Sequence, residues 1–160
     1  MSPTTRVKCL GYLDNILAAR EAAEKGADEA LLLNGAGNLA SASAANLFAV
    51  IDGELVTGKL GADVGLERGQ QAARACGLMI LAQLEAHDLL ERVERVVKLG
   101  GFVASVPDFT DQPKVVNGAS DLMAEVFGDK GKHARSAVGV PVLPLNAAVE
   151  VDAVLALSGA

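Results

Sequence analysis

The chain has 160 residues, a length that fits one domain. Apolar residues make up 51% of it but aromatic residues only 3%, with no Trp, so the core is aliphatic and there is no aromatic platform for stacking bases or sugars. A formal net charge of −6 and a sequence pI of about 4.9 argue against nucleic acid and against an anionic membrane surface as partners.

Residues 5–25 read as a helix. Leu10, Leu13, Ile16, Leu17 and Ala18 fall at three- and four-residue spacing, and Gly26 supplies a stop. Residues 29–33 read as a short strand, 34–38 as a turn, and 39–50 as an Ala- and Ser-rich extended segment. Asp52-Gly53 is a hairpin signal leading into a strand over 54–57. Residues 67–85 form the best helix, with Ala73, Cys76, Ile80 and Leu84 on one apolar face. A strand over 95–104 carries Val97, Leu99 and Val103 inward. A helix over 112–127 turns Val116, Met123 and Phe127 inward, with Asp111 as its N-cap before Gln112-Pro113. Two strands close the chain, 136–142 and 148–157. In the last, Val149, Val151, Ala153 and Leu155 alternate with Glu150 and Asp152.

This order predicts a single α/β (α+β) domain over 1–160. It has a mixed β-sheet with two helices packed on one face, plus an N-terminal helix. The other sheet face needs a cover, and self-association supplies one. Composition shifts near Val50, from Ala-rich to Val-rich. Cys9 and Cys76 stand far apart with no second Cys or His at ligand spacing, which reads as two reduced thiols. No apolar run approaches the length that crosses a bilayer, and Met1-Ser2-Pro3-Thr4 opens no signal peptide, so the expected location is cytoplasmic.

The chemistry concentrates near the end. Arg135 heads one apolar strand and Glu150 stands in the next, joined by a short Pro-containing turn. Pairing of the two strands would bring both charges to one cleft. An arginine there holds a carboxylate through two parallel N–H bonds, and a carboxylate steers a proton or a water. The plain alternatives are an arginine that caps a strand or pairs across a subunit contact, and a glutamate on a polar strand face shared with Asp152. His133 reads as part of a flexible charged loop, with a role in drawing in anions as the lesser alternative, and His87 as a helix-ending cation that suits the dipole. Gly35-Ala36-Gly37 resembles a dinucleotide loop, but no helix opens after it, so a hairpin turn explains it better. Asp108 to Asp111 lacks the third and fourth ligands of a calcium loop. No metal and no cofactor are expected.

Two resemblances sharpen this reading. Asp52-Gly53-Glu54-Leu55, Thr57-Gly58-Lys59-Leu60-Gly61, Gly69-Gln70-Gln71-Ala72-Ala73-Arg74, Pro107-Asp108-Phe109-Thr110-Asp111-Gln112-Pro113 and the string from Arg135 to Glu150 resemble the Rid (YjgF-type) family of trimeric enamine/imine deaminases. Arg6-Val7-Lys8, Tyr12-Leu13-Asp14-Asn15-Ile16-Leu17-Ala18, residues 26–33 and Asn46-Leu47-Phe48 resemble a piece of the fold-type-IV aminotransferases, which use pyridoxal phosphate. Lys8 falls where their Schiff-base lysine sits. Ser41 stands where they carry the Glu that pairs with the pyridine nitrogen, and their phosphate-binding segments are missing, so Lys8 reads as an ordinary lysine. The chain thus looks like a join near Asp52-Gly53, with an aminotransferase-like segment over 1–50 and a Rid-like core over 51–160. A natural fusion, a laboratory chimera and a generated sequence all fit.

The Rid resemblance implies the chorismate-mutase-like fold, a homotrimer with sites between subunits, and a small carboxylate as substrate. It implies hydrolysis of a reactive 2-imino or enamino acid to the 2-keto acid and ammonia. Arg135 would capture the carboxylate and Glu150 would position water. Ser136 and the backbone beside Ala137 would complete the lining, with Asn117 and Ser120 on the preceding helix near a polar contact of relatives. Relatives often carry Cys where Ala137 stands, so a thiol role is excluded. The alternative is a non-catalytic trimeric scaffold or small-acid-binding protein of the same fold.

Overall fold

The computed structural model describes residues 31–33, 39–42, 50–51 and 54–158, and the helix expected over 5–25 lies outside them. The chain divides into two compact units, Met1–Asn46 and Leu47–Ser158. In the first, strands β1 (Leu31–Leu33) and β2 (Leu39–Ala42) pair antiparallel, in line with the strand and extended segment read there.

The second unit opens with β3 (Val50–Ile51) and β4 (Glu54–Leu55), which pair antiparallel on either side of Asp52-Gly53. Beyond β4 the chain stays extended. Val56 accepts from Ala148 N–H at 2.9 Å, and Leu60 N–H donates to Ala104 at 2.8 Å. Helix α1 (Leu66–Ala86) follows, then strand β5 (Val93–Ala104), helix α2 (Gln112–Phe127), strand β6 (Ala134–Val140) and strand β7 (Val149–Leu157). Among the described residues no helix is long and apolar enough to cross a membrane.

The three long strands make one mixed sheet in the order β6-β5-β7. β5 runs parallel to β6 and antiparallel to β7. A parallel pair needs a crossover connection, and α2 supplies it. This corrects the sequence expectation that β6 and β7 pair with each other. The turn between them is short, but β5 lies between the two strands, because its apolar run offers partners on both edges.

The burial of β5 explains a second difference. Leu99 and Val103 are buried as expected, but Val97 is exposed and Val96 is buried in its place. The register against β7 shifts twice, between Val93 and Arg95 and between Val96 and Lys98. Each irregularity breaks the two-residue alternation, so buried side chains recur every third residue at that end. Past Lys98 the pleat is regular.

Both helices cover the same sheet face. From α1, Ala73, Cys76, Ile80 and Leu84 are buried, and from α2, Val116 and Met123, as the spacing predicts; Phe127 is half-buried. Fully buried Leu84, Leu99, Met123 and Leu155 each contribute about 2 kcal/mol of apolar burial. Asp111 stands at the N-cap of α2 but makes no side-chain capping bond. Its carboxylate pairs with Lys114 at 3.0 Å instead, where a cation competes with the backbone N–H groups. His87 is the C-cap of α1.

The helices meet at Gly118. A Cβ there would overlap the backbone carbonyl of Gln70 and reach the backbone nitrogen of Arg74 at 3.0 Å. Gln70 Nε2 donates to Lys114 O at 3.0 Å across the same seam, and Arg74 bonds both carboxylate oxygens of Glu125. That ion pair is exposed and screened, so close packing holds the seam. Gly118→Ala is therefore expected to lower stability by about 2 kcal/mol, although alanine is the better helix former. Urea unfolding checks this, and an unchanged or higher midpoint would show that the helices do not touch there.

Candidate functional site

Arg135 is the second residue of β6 and lies opposite Leu99 of β5. Residues opposite one another in a sheet share a face. Leu99 is buried under the helices, so Arg135 projects on the helix-covered side, at the edge strand where the cover ends. Its guanidinium Nη1 donates to Asn117 Oδ1 at 2.7 Å and to Ser120 Oγ at 3.1 Å. Asn117 and Ser120 stand three residues apart on α2 and thus share one helix face. The structure brings these three sequence candidates together.

His133 joins them. Its Nε2 lies 3.0 Å from Ser120 Oγ, and its Nδ1 lies 2.5 Å from the carbonyl oxygen of Gly131. The sequence reading set this residue aside as part of a flexible charged loop, and the structure corrects that. The segment is anchored, because Gly131 is buried and a Cβ on it would overlap the backbone carbonyl of Met123. Lys130 Nζ also reaches Val93 O at 3.4 Å. One signal was present in the sequence. His133 precedes Arg135 by two residues in extended chain, so the two point to one side.

Both acceptors on Arg135 are neutral. Among the described residues no carboxylate pairs with it. Arg135 is exposed, so its remaining N–H groups face outward. A guanidinium fixed in this way, with no acid partner among the described residues, has the geometry to hold a planar carboxylate.

The other candidates lie elsewhere. Glu150 stands opposite Phe102 on β5, three positions from Leu99, and so faces the side of the sheet away from the helices. Arg135 and Glu150 therefore do not share a cleft within one chain, against the expectation drawn from strand pairing. Glu150 is half-buried, and burial pushes its carboxyl above the usual range, with neighbouring Asp152 adding to the effect. Ser136 lies opposite Gly100, on Glu150's face, where the Asp152 side chain covers Gly100. Ala137 lies opposite Gly101 and shares Arg135's face. A hollow of about 360 Å3 lies at the far end of β6, lined by Ser105, Gln112, Gly139 and Pro141 among others, and does not contain Arg135.

Cys76 faces the sheet from α1, with Sγ 3.8 Å from Val149 O. Burial pushes its thiol up to about 12, and the charge of Glu150 adds to this. A thiol so rarely ionised is inert. In a Cys9→Ser background, native Cys76 should react with iodoacetamide at pH 8 on the order of a thousandfold more slowly than a free thiol. Mass spectrometry reads the adduct, which should form only after unfolding; prompt labelling of the folded protein would contradict this burial.

Known proteins place this geometry in a family. Protein TCP17 of Trypanosoma cruzi is 55% identical over 108 residues, which is 66% of this chain and 68% of that protein. A crystal structure of a protein of unknown function from Agrobacterium tumefaciens is 42% identical and covers 79% of this chain and 80% of that one, with a TM-score of 0.71. The crystal structure of a "putative endoribonuclease" from Shewanella oneidensis is 30% identical, covers 88% and 99% of the two chains, and gives a TM-score of 0.68. The family model described as "YjgF/chorismate mutase-like, putative endoribonuclease" matches residues 16–156. That match crosses Asp52-Gly53 and takes in residues 16–50, a large part of the aminotransferase-like segment; Lys8 precedes it and lies outside the described residues, as Ser41's side chain does. The chain belongs to the YjgF/chorismate mutase-like family.

Proposed function

We propose that this protein binds a small 2-imino or enamino acid through Arg135 and hydrolyses it to the 2-keto acid and ammonia. The observation that carries this reading is the Arg135 guanidinium, held by two neutral oxygens with no acid partner among the described residues. Water adds to the imine carbon while its proton passes to a base. The resulting carbinolamine then collapses, the nitrogen takes a proton, and ammonia leaves. Imines hydrolyse readily, so orientation, a water and a proton path suffice.

Glu150 is the base and acid of this scheme. One chain holds it on the opposite sheet face from Arg135, so the site we propose takes Arg135 from one copy and Glu150 from the next. A homotrimer provides such sites. Two features support assembly. Val138 and Val154 are exposed on the open face, and among the described residues β6 pairs only with β5 and so stands at the sheet edge. The same separation supports a second reading, a small-acid-binding protein without turnover, which applies if the copies do not bring the two residues together. Endoribonuclease activity, which the family's description names, fits poorly with a net charge of −6.

The test couples the protein to an amino-acid oxidase that releases imine. Keto-acid formation should accelerate with the wild-type chain and return to the uncatalysed rate with Arg135→Ala. Mixing Arg135→Ala and Glu150→Gln chains, each inactive alone, should restore roughly a quarter of the wild-type rate by subunit exchange, since random assembly completes one site in four. No acceleration by the wild-type chain would leave the binding reading only; no recovery on mixing would refute the shared site.

Assembly also sets the titration of Glu150. In one chain burial and Asp152 hold its carboxyl above the usual range. A second copy's guanidinium beside it favours the charged form and draws the titration down. Side-chain carbon NMR should therefore show Glu150 titrating lower in the oligomer than in a monomeric variant. Equal titration in both would place Glu150 away from Arg135.

A further inference from the structure

The tautomer of His133 follows from its neighbours. The Gly131 carbonyl oxygen accepts only, so Nδ1 carries a hydrogen and donates to it. In the neutral ring Nε2 is then bare and accepts. Ser120 Oγ, at 3.0 Å, has one hydrogen and gives it to Nε2. The serine's lone pairs are left for the N–H of Arg135 at 3.1 Å. The hydrogen bonds thus run in one direction, from guanidinium to hydroxyl to imidazole to carbonyl. Gly131 fixes the last acceptor, because its backbone is pressed against Met123 and Ala124 of α2.

We propose that His133 is a positioning residue of the Arg135 site, which acts through Ser120 by holding the hydroxyl as an acceptor toward the guanidinium. Without a bare Nε2, the Ser120 proton is free to swing toward Arg135 and repel its N–H. With it, Nη1 stays committed to Asn117 and Ser120, and the rest of the guanidinium is preset for a carboxylate. Neither His133 nor Ser120 touches the ligand in this scheme. The inference rests on the carboxylate-binding reading of Arg135 and adds to it a device that orients the arginine.

Two measurements on the full chain test it. Long-range proton–nitrogen spectra of the imidazoles should show His133 as the tautomer with hydrogen on Nδ1 in its neutral form; hydrogen on Nε2 would overturn the proposal without any variant. Calorimetric titration with pyruvate, a simple keto acid, gives the second readout. His133→Ala should weaken binding about fivefold, the effect of one neutral hydrogen bond. Ser120→Ala should do the same, and the double variant should be no weaker than either alone, because the two act in series. His133→Gln, which keeps an acceptor near the place of Nε2, should retain most of the affinity. If Arg135→Ala abolishes binding but His133→Ala binds as the wild type does, this inference falls and the carboxylate site stands. If Arg135→Ala binds pyruvate as tightly as the wild type, the carboxylate reading falls and takes this inference with it.

Discussion

Arg135 carries a positive charge that the described residues orient but do not cancel. Asn117 and Ser120 offer neutral oxygens, which fix direction and leave the charge available. A carboxylate in their place would have made a structural ion pair of little consequence at an exposed position. The rest of the site's architecture can be read as what keeps those two oxygens in place.

That support begins in the helix seam. Gly118 lies between Asn117 and Ala119, and its missing side chain lets α2 approach the backbone of α1 near Gln70. Asn117, beside this contact, and Ser120, two residues beyond it, reach Arg135. On the next turns Val116 and Met123 bury against the sheet, and Gly131 closes against Met123. Packing of the helix therefore sets the height of Asn117 and Ser120 over the edge strand, and the turn after α2 sets His133. A site on such elements is held by core packing, which is more rigid than a loop could provide.

Periodicity made much of this legible. The helix over 112–127 was readable in its bounds, since Asp111 and Gln112-Pro113 mark its start and the apolar spacing runs to Phe127. The alternation in β7 gave its buried face directly. Arg135 was readable from its place at the head of a strand, whereas Asn117 and Ser120 came from the resemblance and read otherwise as solvated helix positions. What one sequence does not encode locally is which strands are neighbours. A short turn between β6 and β7 reads as a hairpin, yet β5 lies between them, and that nonlocal choice puts Glu150 on the other face. The two register shifts in β5 are equally silent in the pattern and account for Val97. His133 was missed because charge in its neighbours, Lys130 and Lys132, suggested a solvated loop, whereas the tight packing of Gly131 decides otherwise.

The pleat has one more consequence for assembly. The helix-side edge presents Arg135 and His133, and the open face presents Glu150 and Asp152. A contact that lays the Arg135 edge of one copy on the Glu150 face of the next would gain from opposite charge. In the proposed shared site, a closed ring of such contacts would set every Arg135 against a neighbour's Glu150. The charge distribution of a single chain thus suits the assembly in which the proposed chemistry is complete.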